Sequence, residues 1–322
     1  MVYKPRVSVI CGYYNKEDEV DRSVGSVLNQ SFQDFEFIVF DDCSTDATFD
    51  RLTKYGADSR VRLVRYEKNI GFVKGMIRAL SVAAGDYIAI HGAGDISLEN
   101  RLERQVAMLD EHHDAVAASS FHVNIDPKNG KRELARLPET LVMTDFLKIN
   151  PISHGGVMFR RDAYLSCGGY SESFVYSQDL DLWLRMSRLG CIKVVQELLY
   201  ERIVQFDGVS FKPDKFVRQV RYAYLARKMV GYSPERRRMV EDQLRESGID
   251  AVVSLKSGYM QNLLFKRFLV LFMKNELTET HIFIDVAEGI YMKFYLMLSL
   301  LYNVKLLRSC ANLLYRLPAF RS

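Results

Sequence analysis

Three short stretches of the 322-residue chain hold residues able to do chemistry, and each follows an apolar run. "GYYN" (12–15) offers a glycine and two tyrosines. "DDCSTD" (41–46) offers three carboxylates and two hydroxyls, and "HGAGD" (91–95) two glycines and one carboxylate. A fourth stretch, "SQDLDLWLRM" (177–186), sets Asp179 and Asp181 at the start of a helical pattern. Carboxylates at a strand end, such as Asp41 and Asp42, accept hydrogen bonds from ligand N–H groups or, more blandly, cap a turn and the next helix. Gly92 and Gly94 let something approach the backbone closely. A nucleotide-using enzyme would place several carboxylates here to hold a metal, and this chain keeps only Asp95.

The elements that must position these residues are legible in the apolar spacing. "VSVIC" (7–11), "FEFIVF" (35–40), "VRLVRY" (61–66) and "YIAI" (87–90) have strand length and composition. Between them, residues 19–30 put Val20, Val24, Val27 and Leu28 on one helical face. Ser44, Thr45 and Asp46 offer N-caps to a second helix, and a third spans about 71–84. Strands alternating with helices imply right-handed crossovers and a doubly wound, mostly parallel sheet. Ligands of such sheets bind at the carboxyl ends of the strands, which is where the three polar stretches fall. Beyond residue 98 the pattern is mixed. It reads as a helix with Leu98, Leu102, Val106 and Leu109, a strand at 115–123, a hairpin turn at 126–131, a strand at 155–161 and a helix at 178–190. From about 211 the composition is helical.

Composition narrows the class. A chain 48% hydrophobic and 26% charged supports a large core and one big domain or a domain with an appendage. A net charge of +4, without an arginine-rich or aromatic-interleaved patch, argues against nucleic acid. Five scattered cysteines with no Cys-x-x-Cys pair read as small core residues in a reducing, cytoplasmic compartment. "MVYKPR" leads straight into a strand, so no signal peptide is expected, and no stretch has the length of a spanning helix.

"VSVICGYYN", "SVLNQSFQDFEFIVFDDCSTDAT", "NIGF", "AAGDYIAI" and "SQDLDLWLRM", in this order, resemble the family 2 glycosyltransferases of the GT-A fold over roughly residues 5–210. That family transfers a sugar from a nucleotide donor to an acceptor hydroxyl with inversion at the anomeric carbon. The resemblance implies a GT-A domain at 1–210 and a helical region at 211–322. It also implies that Asp42, with Asp41 second, binds the base of a nucleotide-sugar donor, a UDP-sugar being favoured. Tyr13 and Tyr14 would wall the base and contact the ribose, although Gly12 and Tyr13 stand where the family usually has Pro-Thr. "CGGY" would shape the sugar and acceptor pocket through Gly168 and Gly169, which also read as a helix stop. Trp183 is core, or lines the acceptor cleft.

Asp179 matches the second acid of the family's Glu-Asp pair, the general base, while Gln178 replaces the glutamate. Inverting transfer is one in-line displacement, so the acceptor hydroxyl loses its proton as it attacks, and a placed carboxylate can take it. Asp181 reads as a capping or salt-bridge residue, and simple helix capping is the bland reading of Asp179 too. His91 and His154 read as hydrogen-bonding structural residues. The family usually has Asp-x-Asp-Asp where this chain has Gly92, Ala93, Gly94 and Asp95, acids that hold Mg²⁺ or Mn²⁺ on the diphosphate. Three outcomes stay open: Asp95 alone holds a weakly bound cation, a basic side chain (Lys74, Arg78, Arg202 or Lys212) replaces it, or the domain is a non-catalytic sugar-nucleotide or glycan-binding scaffold. The active transferase with weakened or absent metal dependence is the preferred reading, since Asp179 is kept beside the nucleotide-site residues.

Residues 251–322 carry nine Lys/Arg against four Asp/Glu, interleaved with Phe265, Phe268, Phe272, Tyr291, Phe294, Tyr295, Tyr302 and Tyr315. That pattern suits helices lying on an anionic membrane surface at the inner face of the cell membrane. It equally suits a helical bundle or an interface with a second copy of the chain. Membrane contact would fit a glycan or lipid-linked acceptor in bacterial cell-surface polysaccharide synthesis.

Overall fold

The structure, a computed structural model, describes residues 4–204, 213–258 and 260–266. Lys212 and the apolar, basic run from 267 onward lie outside the described residues. The chain divides into two compact units, 1–204 and 205–322, so the division falls six residues before the expected one at 210. The last strand of the first unit ends at Ile203, and the next described helix begins at Pro213.

The first unit is built from ten strands: β1 (Val7–Tyr13), β2 (Phe35–Asp41), β3 (Val61–Arg65), β4 (Tyr87–Gly92), β5 (Ile96–Ser97), β6 (Ala115–Ile125), β7 (Arg132–Ala135), β8 (Thr140–Leu141), β9 (Met158–Arg160) and β10 (Cys191–Ile203). They form one sheet in the order β3-β2-β1-β4-β9-β6-β10-β5, with β7 on β6 and β8 on β10. The first four are parallel, as the alternating pattern requires. Beyond them β9 runs antiparallel to both β4 and β6, while β10 is parallel to β6. The helices are α1 (Val20–Leu28), α2 (Thr48–Thr53), α3 (Phe72–Ser81), α4 (Arg101–Glu111), α5 (Met143–Lys148), α6 (Arg161–Ser166) and α7 (Gln178–Met186).

One face of β1 and β2 (Val7, Val9, Cys11, Tyr13; Phe35, Phe37, Val39) packs with Val20, Val24 and Val27 of α1 and Leu102, Val106 and Leu109 of α4. Burying each such side chain stabilises by roughly 1.5–3 kcal/mol, so this face fixes the strand register. On the other face Phe40 fills the space over Gly12 and Gly75. A Cβ at either glycine would stand 2.2 or 2.4 Å from its ring.

Two expected elements are shorter than their patterns. At 155–161 only Met158–Arg160 is strand, because residues 154–156 turn tightly (3₁₀) under Tyr200. The helix expected to 190 ends at Met186, and Gly190 is there for packing: a Cβ would stand 2.3 Å from the Asp114 carbonyl. The turn at 126–131 does join β6 and β7, with Gly130 at φ +69°.

The second unit contains α8 (Pro213–Met229), α9 (Pro234–Val252) and a further helical stretch to residue 266. Ser233 caps α9 by accepting the Arg236 N–H at 3.3 Å, and Gly248 (φ +74°) interrupts it. Among the described residues no helix is long and apolar enough to cross a membrane.

Candidate active site

The carboxyl ends of β1 and β2 are stitched together by hydrogen bonds. Asn15, at φ +51°, donates its N–H to Ser44 Oγ at 3.0 Å and accepts the Thr45 N–H on Oδ1 at 2.8 Å. The Lys16 N–H reaches Thr48 Oγ1 at 2.7 Å, and the Ala47 N–H reaches the Glu17 carboxylate at 2.8 Å. Asp41 is fully buried. It accepts the Ser44 N–H at 3.1 Å and the Ser44 hydroxyl, with Arg65 Nε 3.7 Å away. Asp42 holds the start of α3: its two oxygens accept the Ile70 and Gly71 N–H groups at 2.7 and 2.9 Å. Asp41 is therefore a turn residue. Asp42 has a second lone pair left on each oxygen for a ligand N–H.

The two tyrosines part company. Tyr13 is 1% exposed and belongs to the core beside Cys11 and Ser23, so the aromatic wall expected of it is not there; burial pushes its phenol well above the usual range. Tyr14, next along the strand, is 47% exposed. Gly12 makes room for Phe40 instead of for a ligand.

At the end of β4 the glycines have a physical cause. Asp95 Oδ2 accepts the Tyr200 hydroxyl at 2.7 Å, and Oδ1 accepts the Ile203 N–H at 2.9 Å. The same hydroxyl accepts the Gly92 N–H at 2.9 Å. A Cβ at Gly92 would lie 2.4 Å from Asp95 Oδ2, and one at Gly155 would lie 2.1 Å from the Tyr200 oxygen. Only glycine fits at either position while Tyr200 and Asp95 stay paired. Gly94 supplies the left-handed turn, φ +93°. Behind it, Ser23 Oγ accepts the Gly94 N–H at 3.1 Å and pairs with His91 Nε2 at 2.9 Å. His91 Nδ1 meets Ser97 Oγ at 3.0 Å, and buried Arg101 donates to that oxygen at 2.8 Å. Burial and the Arg101 charge push His91 down to about 3, so it is neutral; burial pushes Asp95 up to about 6. His91 is structural, as its sequence context indicated.

Asp179 sits in the first turn of α7, half-buried, behind Ser177 in a left-handed conformation. Its Oδ2 accepts Asn150 Nδ2 at 2.7 Å, and among the described residues Oδ1 has no hydrogen-bond partner. His154 lies nearby, with Nε2 2.6 Å from the Tyr170 hydroxyl. Burial lowers its pKa and the Asp179 charge raises it. The His154 ring also meets the edge of Phe72, which is 42% exposed at the start of α3, at 5.9 Å. The Asp42–α3 region and the Asp179 region thus adjoin through these two rings. Asp181 pairs with Arg185 at 2.7 Å and is structural.

Other expected site residues lie elsewhere. Trp183 is 0% exposed against Phe159 and His154, so it does not line a cleft. Gly168 (φ +85°) and Gly169 (φ +65°) end α6, their N–H groups returning to Leu165 and Tyr164 carbonyls at 3.0 and 2.8 Å. Lys74 is exposed on α3, and Arg78 lies over the Tyr66 ring at 5.5 Å. Arg202 is exposed within β10 beside Asp95, not after the strand. Arg22 went unnoticed in the sequence, yet its guanidinium donates to the Gly94 carbonyl at 3.2 Å. Asn150 and Tyr200 were also missed, and Gly155, in the "HGGVMFRR" segment that resembles the family's sugar-pocket stretch, instead clears space for the Tyr200 hydroxyl. The Asn-Pro pair at 150–151 marks a turn but does not say what the amide touches.

Whether these residues fit the divalent cation implied by the family can be tested on Asp95. It is 8% exposed, and both oxygens already accept protein donors. Gly92 and Gly94 add no ligand, and no three His, Cys, Asp or Glu side chains converge among the described residues. This strand end therefore offers a cation one carboxylate, already hydrogen-bonded on both oxygens, and no second protein ligand, which does not fit a protein-built cation site.

A curled, mostly parallel sheet flanked by helices, with its polar residues gathered at the carboxyl edge, is the GT-A fold. Two solved structures share it: S. aureus TarS 1-349 in complex with UDP-GlcNAc (TM-score 0.57, 17% identity, 95% of this chain and 90% of that one) and the Pyrobaculum calidifontis mannosyltransferase PcManGT in complex with GDP-Man and Mn²⁺ (0.57, 18%, 94% and 88%). The sequence pattern of Glycosyl transferase family 2 matches residues 8–168. EpsE of Bacillus subtilis (strain 168), described as a glycosyltransferase, is 35% identical over 228 residues, 69% of this chain and 80% of EpsE. TuaG of the same organism, described as a teichuronic acid biosynthesis glycosyltransferase, is 33% identical over 190 residues, 58% and 74% of the two chains. The chain belongs to glycosyl transferase family 2.

Proposed function

We propose that the protein is an inverting glycosyltransferase that uses a nucleoside diphosphate sugar, a UDP-sugar by preference, without a protein-held cation. Its acceptor is a hydroxyl of a glycan or lipid-linked glycan in cell-surface polysaccharide synthesis. The observation that carries this reading is the state of Asp179: one oxygen held by Asn150, the other without a partner among the described residues. The acceptor oxygen attacks the anomeric carbon as the bond to the diphosphate breaks. Its proton passes to Asp179 Oδ1, and the electron pair leaves on the diphosphate. Arg22, which donates to the Gly94 carbonyl, and Arg202, whose charge acts on Asp95, supply positive charge for that leaving group. UDP-GlcNAc in TarS and the teichuronic acid role attached to TuaG support the donor and acceptor classes.

Titration calorimetry with UDP, TDP and GDP, each in EDTA and in Mg²⁺ or Mn²⁺, tests the donor side. UDP is expected to bind most tightly, with affinities within about twofold across metal conditions, since a charge supplied by side chains does not depend on a cation. A tenfold or greater loss in EDTA overturns the cation-free reading. Nucleotide binding without turnover of any nucleotide sugar makes the protein a binding domain instead.

A further inference from the structure

An amide whose own oxygen is unsatisfied sits against the carboxylate of Asp179. Asn150 lies two residues beyond α5 and just before Pro151, which keeps its backbone out of the helical region. Its Nδ2 donates to Asp179 Oδ2 at 2.7 Å. Chemistry fixes the amide's orientation, because a carboxylate oxygen takes a donor and repels a carbonyl. The remaining atom, Asn150 Oδ1, is buried and has no hydrogen-bond partner among the described residues. A buried, unpaired carbonyl is unfavourable, and an apolar side chain of similar shape would remove it. An asparagine kept only to join α5 to α7 has no reason to carry that penalty.

The other titratable groups near Asp179 do not do this work. His154 Nε2 is engaged by the Tyr170 hydroxyl, and Tyr170 is held beside Tyr164 and Arg185. Among the described residues, Asn150 is the one side chain whose hydrogen bond fixes the Asp179 carboxylate.

We propose that Asn150 is a positioning residue that pins Asp179 Oδ2, so that Oδ1 alone meets the acceptor hydroxyl. The inference rests on the reading of Asp179 as the base. When the acceptor's O–H bond breaks, the proton goes to Oδ1, and Oδ2 becomes the carbonyl oxygen of the acid. Oδ2 keeps the same hydrogen bond in both states, so the amide neither gains nor loses a partner during the step.

The test uses the full chain and whichever of UDP-glucose, UDP-N-acetylglucosamine and GDP-mannose the wild type hydrolyses, with nucleotide release as the readout. Asn150→Leu is expected to lower kcat by ten- to a hundredfold, with donor KM within twofold and a melting temperature no lower than wild type. Asn150→Asp is isosteric and sets a second carboxylate against the first, so the acid limb of its rate–pH profile moves to higher pH by about a unit or more. That limb shift follows from charge proximity alone and shows only that residue 150 lies against the base. The positioning role is decided by a fall in kcat with donor KM unchanged in Asn150→Leu or, if that variant folds poorly, in Asn150→Ala. Asp179→Asn, run alongside, separates the two ideas. If it is inactive while Asn150→Leu, or Asn150→Ala in its place, keeps wild-type kcat, the positioning role is wrong. If it stays active, the base assignment itself fails.

Discussion

Asp95 at the end of β4 and Asp179 at the start of α7 are the same side chain in two regions with opposite treatment. Around Asp95 the protein closes in. Tyr200 and the Ile203 N–H take its oxygens, two glycines clear the space, and burial raises its pKa to about 6. Around Asp179 one oxygen is held and, among the described residues, the other has no hydrogen-bond partner. Asp95, enclosed by its partners, contributes to the fold, whereas Asp179, held on one oxygen, keeps the other for the proton transfer proposed above.

The largest effect that can break this contrast is chemical. Asp179→Asn is expected to reduce transfer or donor hydrolysis by about 10²–10⁴-fold, with UDP affinity within twofold by calorimetry. A comparable rate loss in Asp95→Asn would erase the distinction. Next comes packing. Gly155→Ala forces a methyl into the Tyr200 hydroxyl and toward the Gly92 nitrogen, and should destabilise by about 1–3 kcal/mol in urea denaturation. Adding Tyr200→Phe removes the clashing oxygen, so the double variant should lose less than the sum of the two single losses. Strict additivity would mean that the hydroxyl is not what the glycine accommodates.

The third effect depends on pH. Asp95 has a folded pKa of about 6 against 3.8 for a free carboxyl, so its ionised form is the one that folding disfavours. Its contribution is fully present below about pH 4, fades as pH rises toward 6, and stays lost above that. The whole change is roughly 3 kcal/mol as an order of magnitude. Wild-type stability relative to Asp95→Asn should therefore fall between pH 4 and 6 and then level off. A flat difference across that range would place Asp95 in a far wetter setting.

Much of the fold was legible because its signals are local. Four apolar runs with helices between them dictate parallel strands, and the alternation Val7, Val9, Cys11, Tyr13 already puts Tyr13 on the core face. Reading "GYYN" by chemistry alone hid that parity. Asp42 and Asp179 stand out in the sequence because each lies at an element's end, and the structure does place them there. The reason for Gly92 could not be read, since its partner Tyr200 lies 108 positions away, and Asn150 lies 29 positions from Asp179. Ser23 does leave a trace: it is a polar residue on the buried face of α1, and it holds the Gly94 turn from behind.

The mutual stitching of the β1 and β2 loops has a consequence for the proposed nucleotide site. The amides of Asn15, Lys16, Thr45 and Ala47 already donate to Ser44, Thr48, Asn15 and Glu17. In deuterated solvent they should exchange slowly in the free protein and change little on adding UDP. The cost in chain freedom is met during folding, so the proposed donor would meet a surface that is already set.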